Sequence, residues 1–391
     1  MKKNSKILFL IFALVALWSC EQNIVDDNTE VDVEIPKYGY IFFNTEKSTR
    51  AELLKGKLEK DFSVLGYKYP AVNDWNTVKV QAKQSTHGVF RPNGNTATAT
   101  AQEVTYADGA HSYDNLQPWD VKSKYAFFAW YPADLLYNTG AKKVDGTAIT
   151  PTEYEGNPYI NYTLPEGTDK AARWAMEDVM TAYQLDYTKD YGVSVPLEMK
   201  HRLAALDILA ISMINPKALN EAWHTKADGT VEKVYSDNDV IKVKVTDLDL
   251  TLSNFKTSVK IPLHPEDVIV SSDLADEPRT YSEFTLGEIP YYTGAENTIV
   301  ELVDDDEKLI LIPQEESIEA SISLKYQILC NGTPIERENK AEFIGDASVT
   351  INGLKEGIYH YLLITFTKSG IFVKATAEES WNEKTVEYEF N

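Results

Sequence analysis

Alternation of apolar and polar residues with a period of two is the dominant pattern along this chain. Successive side chains of a β-strand point to opposite faces of the sheet, so this period is typical of strands with one buried face. The clearest alternation occurs in residues 38–43, 61–67, 124–130, 240–245, 318–329, 359–366 and 385–390. The 23 tyrosines agree with this pattern, because aromatic residues favour strands. We therefore predict a mainly β fold of antiparallel β-sandwiches.

Helical patterns are few and short. Residues 51–60 fit one short helical turn, and residues 169–180 are ambiguous. Residues 216–224 fit a brief helix, with Pro216 in its first turn. None of these segments is long enough to organise a helical core.

The length and one polar stretch predict two domains. About 370 mature residues exceed one typical hydrophobic core. The turn-like residues 186–192 precede a new apolar run at residues 203–214, which indicates a boundary near residues 193–199. We predict an N-terminal domain of residues 37–195 and a C-terminal domain of residues 196–391.

The first 19 residues are typical of an export signal, with lysines followed by an apolar run at residues 7–18. That run is shorter than the about 20 residues that a membrane-spanning helix needs. Residues 17–20 (LWSC) resemble a bacterial lipobox, which predicts acylation of Cys20, although Trp18 is bulkier than usual. An ordinary signal with an incidental cysteine is the alternative. Residues 20–36 are acidic and aperiodic, so we predict an extended tether.

Charge and cysteine content exclude two classes of protein. Removal of residues 1–19 takes away three lysines and changes the net charge from −22 to −25. Such a surface repels phosphate backbones, so nucleic-acid binding is not expected. The chain has only Cys20 and Cys330, so acylation of Cys20 leaves no disulfide framework, and we expect a buried thiol at Cys330.

The candidate metal ligands lack the spacing of a metal site. The six histidines, including His201 beside Arg202, are not arranged as zinc ligands on one element, so we expect structural roles and no metal. Residues 304–307 form the densest acidic run, and a calcium-binding loop motif is missing. We expect this run to be a solvated turn.

Signals for catalysis are equally weak. No G-x-S-x-G nucleophile motif is present, and none of the many possible carboxylate pairs stands out. We therefore predict no enzyme and no cofactor. Aromatic residues would form a carbohydrate platform if they were exposed together, although aromatic residues in strands are more often core. The candidates are Trp75, Trp119, Trp130, Tyr131, Tyr291, Tyr292 and Trp381.

Several segments, in their order along the mature chain, resemble the fimbrillin-like (Mfa-like) family, the type V pilins of Bacteroidia. They are residues 48–51 (STRA), 61–67 (DFSVLGY), 124–132 (KYAFFAWYP), 178–182 (DVMTA), 199–206 (MKHRLAAL), 309–314 (LILIPQ), 359–362 (YHYL) and Trp381. The resemblance implies two tandem transthyretin-like β-sandwich domains. It also implies a lipidated precursor in the outer membrane, which polymerises with other pilin subunits after an arginine-specific protease removes the first strand.

The resemblance assigns roles to both ends of the chain. Residues 37–45 would be the displaced strand, with cleavage between Arg50 and Ala51. In the terminal strand, Val386, Tyr388 and Phe390 share one face, which suits a donor strand that pairs with another subunit. The alternative is that this strand stays paired in its own domain.

Two functions follow as hypotheses. The first is a structural subunit of cell-surface fimbriae that serves adhesion. The alternative is a surface glycan-binding lipoprotein of a polysaccharide-uptake system. A pilin should polymerise after cleavage, whereas a glycan binder should stay monomeric, remain uncleaved and bind sugar through exposed tryptophans.

Overall fold

The computed structural model describes residues 39–46, 58–82, 101–135, 137–138, 158–188, 193–223, 234–264, 270–271, 277–291, 299–304, 307–336 and 340–377. Cys20, Arg50, Ala51, Val386, Tyr388 and Phe390 lie outside these residues, as does the acidic tether. Within the described residues, no helix is both long enough and apolar enough to span a bilayer.

Strands dominate both halves of the chain. The N-terminal elements are β1 (Phe43–Glu46), β2 (Phe62–Pro70), α1 (Trp75–Ala82), β3 (Gln102–Ala107), β4 (Ala110–Ser112), β5 (Ser123–Tyr131), β6 (Tyr137–Asn138), β7 (Tyr159–Thr163), α2 (Lys170–Trp174), β8 (Met180–Thr188), β9 (Val195–Glu198) and β10 (Lys200–His201). The C-terminal elements are β11 (Ala204–Ser212), α3 (Pro216–Trp223), β12 (Ile241–Ser253), β13 (Ser258–Pro262), β14 (Val270–Ser271), β15 (Arg279–Tyr281), β16 (Glu288–Pro290), β17 (Val300–Glu301), β18 (Leu309–Leu311), β19 (Ile318–Cys330), β20 (Thr333–Pro334), β21 (Phe343–Ile351), β22 (Tyr359–Thr367) and β23 (Gly370–Ala377). The predicted mainly β class is confirmed.

The N-terminal sheet is antiparallel and has the strand order β10-β8-β5-β2-β3-β4. Its central strands β2 and β5 are buried on both faces, because an apolar cluster covers each face. One face belongs to a cluster around Phe62 and Phe127, and the other to a larger cluster that includes Tyr67 and Trp130. Each large apolar side chain buried this way stabilises the fold by about 1.5–3 kcal/mol.

Most strands of the C-terminal half form two further sheets, and β13 and β14 join β7 and β6 in another. One has the order β17-β11-β22-β23, with β18 also on β11, and β11 and β22 run parallel. The other has the order β15-β12-β19-β20, with β16 on β12 and β21 on β19. The rings of Tyr326 in β19 and Phe366 in β22 lie 5.2 Å apart, which shows that the two sheets pack face to face.

Sheet and core contacts cross the predicted domain boundary. Strand β7 pairs with β13 in antiparallel register, so that Ile160 faces Ile261. The larger apolar cluster contains residues from Leu65 to Phe366, whereas the smaller one lies between Ile41 and Met199. The division between residues 195 and 196 stays a prediction. The assignment of two transthyretin-like domains also stays a prediction.

Most of the alternating segments are strands in the structure. β2, β5, β12, β19 and β22 confirm five predictions, and α3 confirms the predicted helix. Along β19, buried and exposed residues alternate through its first eight positions, as the period predicts. The segment 385–390 lies outside the described residues.

Three local features of the structure differ from the predictions or were not predicted. The first regular strand begins at Phe43 rather than at residue 38, with an isolated bridge at Tyr40. The ambiguous stretch 169–180 is a short helix, α2, followed by extended chain. Helix α1 was not predicted. Its start is fixed by Asp74, whose Oδ1 accepts a hydrogen bond from the Thr77 amide at 2.7 Å.

The predicted motif at residues 309–314 ends in a buried side chain that joins two loops. Gln314 Nε2 donates to the carbonyls of Asn254, at 2.9 Å, and Glu316, at 3.0 Å. Its Oε1 accepts from the Lys256 amide at 2.8 Å. Gln314 therefore satisfies backbone groups that would otherwise be buried without partners, which gives this motif a structural role.

Candidate assembly site

The first strand, β1, places alternate side chains in the N-terminal core. Ile41, Phe43 and Thr45 are 0%, 4% and 1% exposed, whereas Phe42 between them is 40% exposed. This is the period-two pattern of a strand that covers a hydrophobic face. The segment predicted to be displaced on assembly is therefore a buried part of the fold.

The backbone of this segment lies between two partners that are distant in sequence. β1 pairs with β9 in parallel register, so that Phe43 faces Val195. The Val195 amide donates to the Phe42 carbonyl at 2.7 Å. On the other side, the Ile41 amide donates to the Gln117 carbonyl at 2.9 Å. Among the described residues, β9 pairs with no strand other than β1.

The groove under β1 is aromatic. The Phe43 ring lies 5.3 Å from that of Phe127 and 6.3 Å from that of Phe62, both edge to face, and 6.0 Å from that of Tyr113. Such pairs add about 0.5–1.5 kcal/mol each beyond the area that they bury. The Tyr113 hydroxyl donates to the Ile41 carbonyl at 2.6 Å, and burial raises the pKa of Tyr113 to about 12. Tyr113 therefore remains a neutral donor at physiological pH.

The residues on either side of the segment that contains Arg50 contact each other. Thr45 Oγ1 donates to the Leu58 carbonyl at 3.1 Å, and both residues are buried. Residues 47–57, including Arg50 and Ala51, lie outside the described residues. Their processing stays a prediction, but the structure shows that residues on either side of this interval are fixed to each other.

The last described strand, β23, lies at the edge of its sheet. It pairs with β22 through Gly370–Ala377, and no second partner is seen among the described residues. Phe372 is 61% exposed. The predicted donor residues Val386, Tyr388 and Phe390 come after this strand and lie outside the described residues, so their role stays a prediction.

The described histidines have separate structural settings. His201 Nδ1 forms a hydrogen bond with Asp178 Oδ2, and both residues are buried. His111 and His264 are also buried. Over the ranges that the structure covers, no three His, Cys, Asp or Glu side chains are grouped as a metal site.

His360 is expected to make stability depend on pH. Burial, with a smaller contribution from Lys355, lowers its pKa from 6.5 to about 4, and its Nε2 accepts the Lys355 amide at 3.1 Å. Between pH 6.5 and pH 4 the unfolded chain therefore binds more protons than the folded chain. The free energy of unfolding keeps the contribution of His360 above pH 6.5 and falls by about 3 kcal/mol towards pH 4. Denaturant unfolding at pH 7.5 and pH 4 should show a smaller loss for His360→Gln. An equal loss in both proteins would contradict this origin.

The prediction of a solvated turn at residues 304–307 is wrong for Glu307. Its side chain is 1% exposed and lies 2.7 Å from Lys170 Nζ and 3.6 Å from Arg173 Nη2. Burial opposes ionisation of Glu307, but hydrogen bonds from Lys170 and Thr285 outweigh it, and the net effect lowers the pKa of the carboxyl. A charge run predicts exposure only where no buried cation is available, and the sequence does not show that Arg173 is such a partner.

The proposed carbohydrate platform does not form from the described tryptophans. Trp75, Trp119 and Trp130 are 1%, 3% and 0% exposed and belong to the core. Trp381 and Tyr292 lie outside the described residues. Trp130 lies in β5, as the period-two pattern favours, whereas Trp75 in α1 and Trp119 outside the strands are buried by tertiary packing.

Comparison with known proteins places the fold among fimbrial proteins. No family model matches the sequence, and no curated protein matches it. A fimbrial protein from Bacteroides vulgatus has a similar structure, with a TM-score of 0.52 and 16% identity over 82% of this chain and 92% of that one. A protein from Bacteroides ovatus, provisionally assigned to cell adhesion, gives a TM-score of 0.45 and 10% identity over 88% and 98%, which is too weak for structural comparison. The predicted resemblance to fimbrillin-like proteins is thus confirmed at the level of the fold.

Proposed function

We propose that this chain is a structural subunit of a cell-surface fimbrium that serves adhesion. In this proposal the precursor is anchored in the outer membrane through acylated Cys20, and an arginine-specific protease cleaves it between Arg50 and Ala51. It then assembles with other pilin subunits by strand exchange, without catalysis or a cofactor. The fold shared with a fimbrial protein supports the first part, the burial of β1 supports strand exchange, and the lipid anchor and the cleavage rest on sequence patterns.

The burial of β1 is the observation that carries the proposal. A cut within residues 47–57 would leave β1 held by non-covalent contacts alone. Its departure would expose the aromatic groove of Phe62, Tyr113 and Phe127, together with the backbone groups of β9. An apolar groove beside unpaired backbone groups is an acceptor for a strand from another molecule.

The terminal segment has the pattern that this groove requires. Ile41, Phe43 and Thr45 fill the groove at every second position. Residues 385–390 also present three side chains at every second position, Val386, Tyr388 and Phe390. This segment of a neighbouring subunit is therefore the proposed donor.

Cleavage of the purified mature chain, from residue 21 onward, tests the proposal. We expect an arginine-specific protease to create a new N-terminus at Ala51, after which light scattering should show growth to polymers. The Arg50→Gln variant should stay uncut and monomeric. A variant that lacks residues 385–391 should be cut but should not grow.

Two outcomes would contradict the proposal in different ways. Cleavage at Ala51 without growth of the intact chain would exclude strand exchange by this subunit. An uncut monomer that binds polysaccharide in a pull-down assay would instead support the alternative, the surface glycan-binding lipoprotein.

A further inference from the structure

A lysine and an aspartate meet in the interior of the C-terminal half. The antiparallel register of β11 and β18 pairs Leu206 with Leu309, which sets Asp207 opposite Lys308. Their side chains are 0% and 2% exposed, and Lys308 Nζ lies 3.5 Å from Asp207 Oδ2. Both reactive groups are thus held together away from bulk water.

The surroundings of this pair are aromatic. Tyr361 of β22 lies beside Asp207 in the parallel register, and its ring stacks on that of Tyr359 at 5.9 Å. Lys308 Nζ is 5.1 Å from the Tyr359 ring centroid. Burial of this kind penalises an ammonium and a carboxylate and favours their neutral forms. Transfer of one proton from Lys308 to Asp207 gives a neutral amine next to a neutral carboxyl group.

A third ionisable residue lies on the same face of the sheet. Glu301 of β17 pairs with Leu209, two residues beyond Asp207 on β11, so the two carboxyl side chains share one face. Its Oε1 atom is shielded from solvent. A carboxyl group at this position can accept a proton from nitrogen and return it to oxygen.

We propose that Lys308 and Asp207 form an intramolecular isopeptide bond. The neutral Lys308 Nζ attacks Asp207 Cγ and forms a C–N bond, and one C–O bond of the carboxyl group then breaks. Glu301 carries a proton from the nitrogen to the departing oxygen, which leaves as water. One ammonium and one carboxylate become one amide and one water molecule, so the step needs no oxidant or cofactor.

The separation and the burial both favour this reaction. Lys308 Nζ lies 3.5 Å from one oxygen of the carboxyl group whose carbon it attacks, so the two groups are already in contact before the reaction. The product replaces a buried ion pair with a neutral amide and joins β18 covalently to β11. This bond goes beyond the proposed fimbrial role and does not depend on it.

An exposed pair of the same residue types provides a matched control. Lys325 Nζ lies 2.7 Å from Asp247 Oδ2, closer than the buried pair, but the two side chains are 49% and 48% exposed. The hydrogen bond with Asp247 raises the pKa of Lys325, and an ammonium is not a nucleophile. We therefore expect no bond at Lys325, which separates the effect of burial from that of proximity.

Tryptic mapping of the full chain by mass spectrometry tests the proposal directly. Trypsin does not cleave after an acylated lysine, so residues 280–325 should appear as one peptide joined to residues 203–217, lighter than their sum by one water. Residues 245–256, which contain Asp247, should remain linear. Recovery of residues 280–308 and 309–325 as separate, unmodified peptides in full yield would overturn the proposal.

Variants of the three residues test the role of each one in forming the bond. Lys308→Arg and Asp207→Ala should each abolish the branched peptide, and its persistence in either would place the cross-link elsewhere. Glu301→Gln should slow formation of the branched peptide by about 10²–10⁴-fold, the range for loss of a proton-transfer group, and so lower the branched fraction at a fixed time. An unchanged fraction in Glu301→Gln would overturn the role of Glu301.

Discussion

Replacing Phe43 with alanine is expected to lower the free energy of unfolding by about 3–5 kcal/mol, the usual cost of this change in a core. Phe43 is 4% exposed and contacts three aromatic rings in the groove under β1. The matched control is Phe42→Ala, because Phe42 directly precedes β1 and is 40% exposed. That change should cost less than about 1 kcal/mol. Denaturant unfolding of the two variants measures the difference.

Amide hydrogen exchange shows whether this loss is local to β1. The Val195 and Trp119 amides donate to carbonyls of this segment, at 2.7 Å to Phe42 and 3.1 Å to Gly39. A loss of about 3 kcal/mol should reduce their protection about a hundredfold in Phe43→Ala. Equal protection in the Phe42→Ala and Phe43→Ala variants would contradict the assigned packing of β1. In the protease assay, Phe43→Ala should also release the N-terminal fragment sooner.

Arg173→Met is expected to destabilise the protein by a similar amount, about 3–5 kcal/mol, because it removes one of the two cations beside the buried carboxylate of Glu307 and leaves buried carbonyl groups without their donor. Arg173 is 1% exposed, and its guanidinium donates to the carbonyls of Ser282, Thr168 and Glu283, the last two at 3.1 and 2.9 Å. It also lies 3.6 Å from Glu307. Burial lowers the pKa of Arg173, but a guanidinium remains charged at physiological pH.

A double-mutant cycle separates the ion pair from the packing. Arg173→Met with Glu307→Gln should recover part of the loss, because the buried carboxylate that has lost one of its two cations is gone. The matched control is Lys325→Met, which breaks an ion pair exposed by about half and should have little effect on stability. Thermal or denaturant unfolding of the wild type, both single variants, the double variant and the control gives the values that the cycle needs. A cost for Arg173→Met as small as that for Lys325→Met would contradict the role assigned to Arg173.

The candidate site was only partly predictable. The sequence identified residues 37–45 as a strand, and the structure places a buried strand there, although its regular part begins at Phe43. The groove was not predicted, because Phe62, Tyr113 and Phe127 come from three separate segments whose approach depends on the whole fold. Asp207 and Lys308 were not considered, since nothing in the sequence shows that both side chains are buried.

The sequence by itself determined the class of fold, the central strands β2, β5, β12, β19 and β22, and helix α3, because period-two and period-3.6 patterns are local properties of the chain. Only the tertiary structure decided that β1 runs parallel to β9, that β7 pairs with β13 across the predicted boundary, and that Arg173 is buried against Glu307. These features join residues that are far apart in sequence. Their free energy depends on which surfaces meet and exclude water, and the pattern of a single segment does not carry that information.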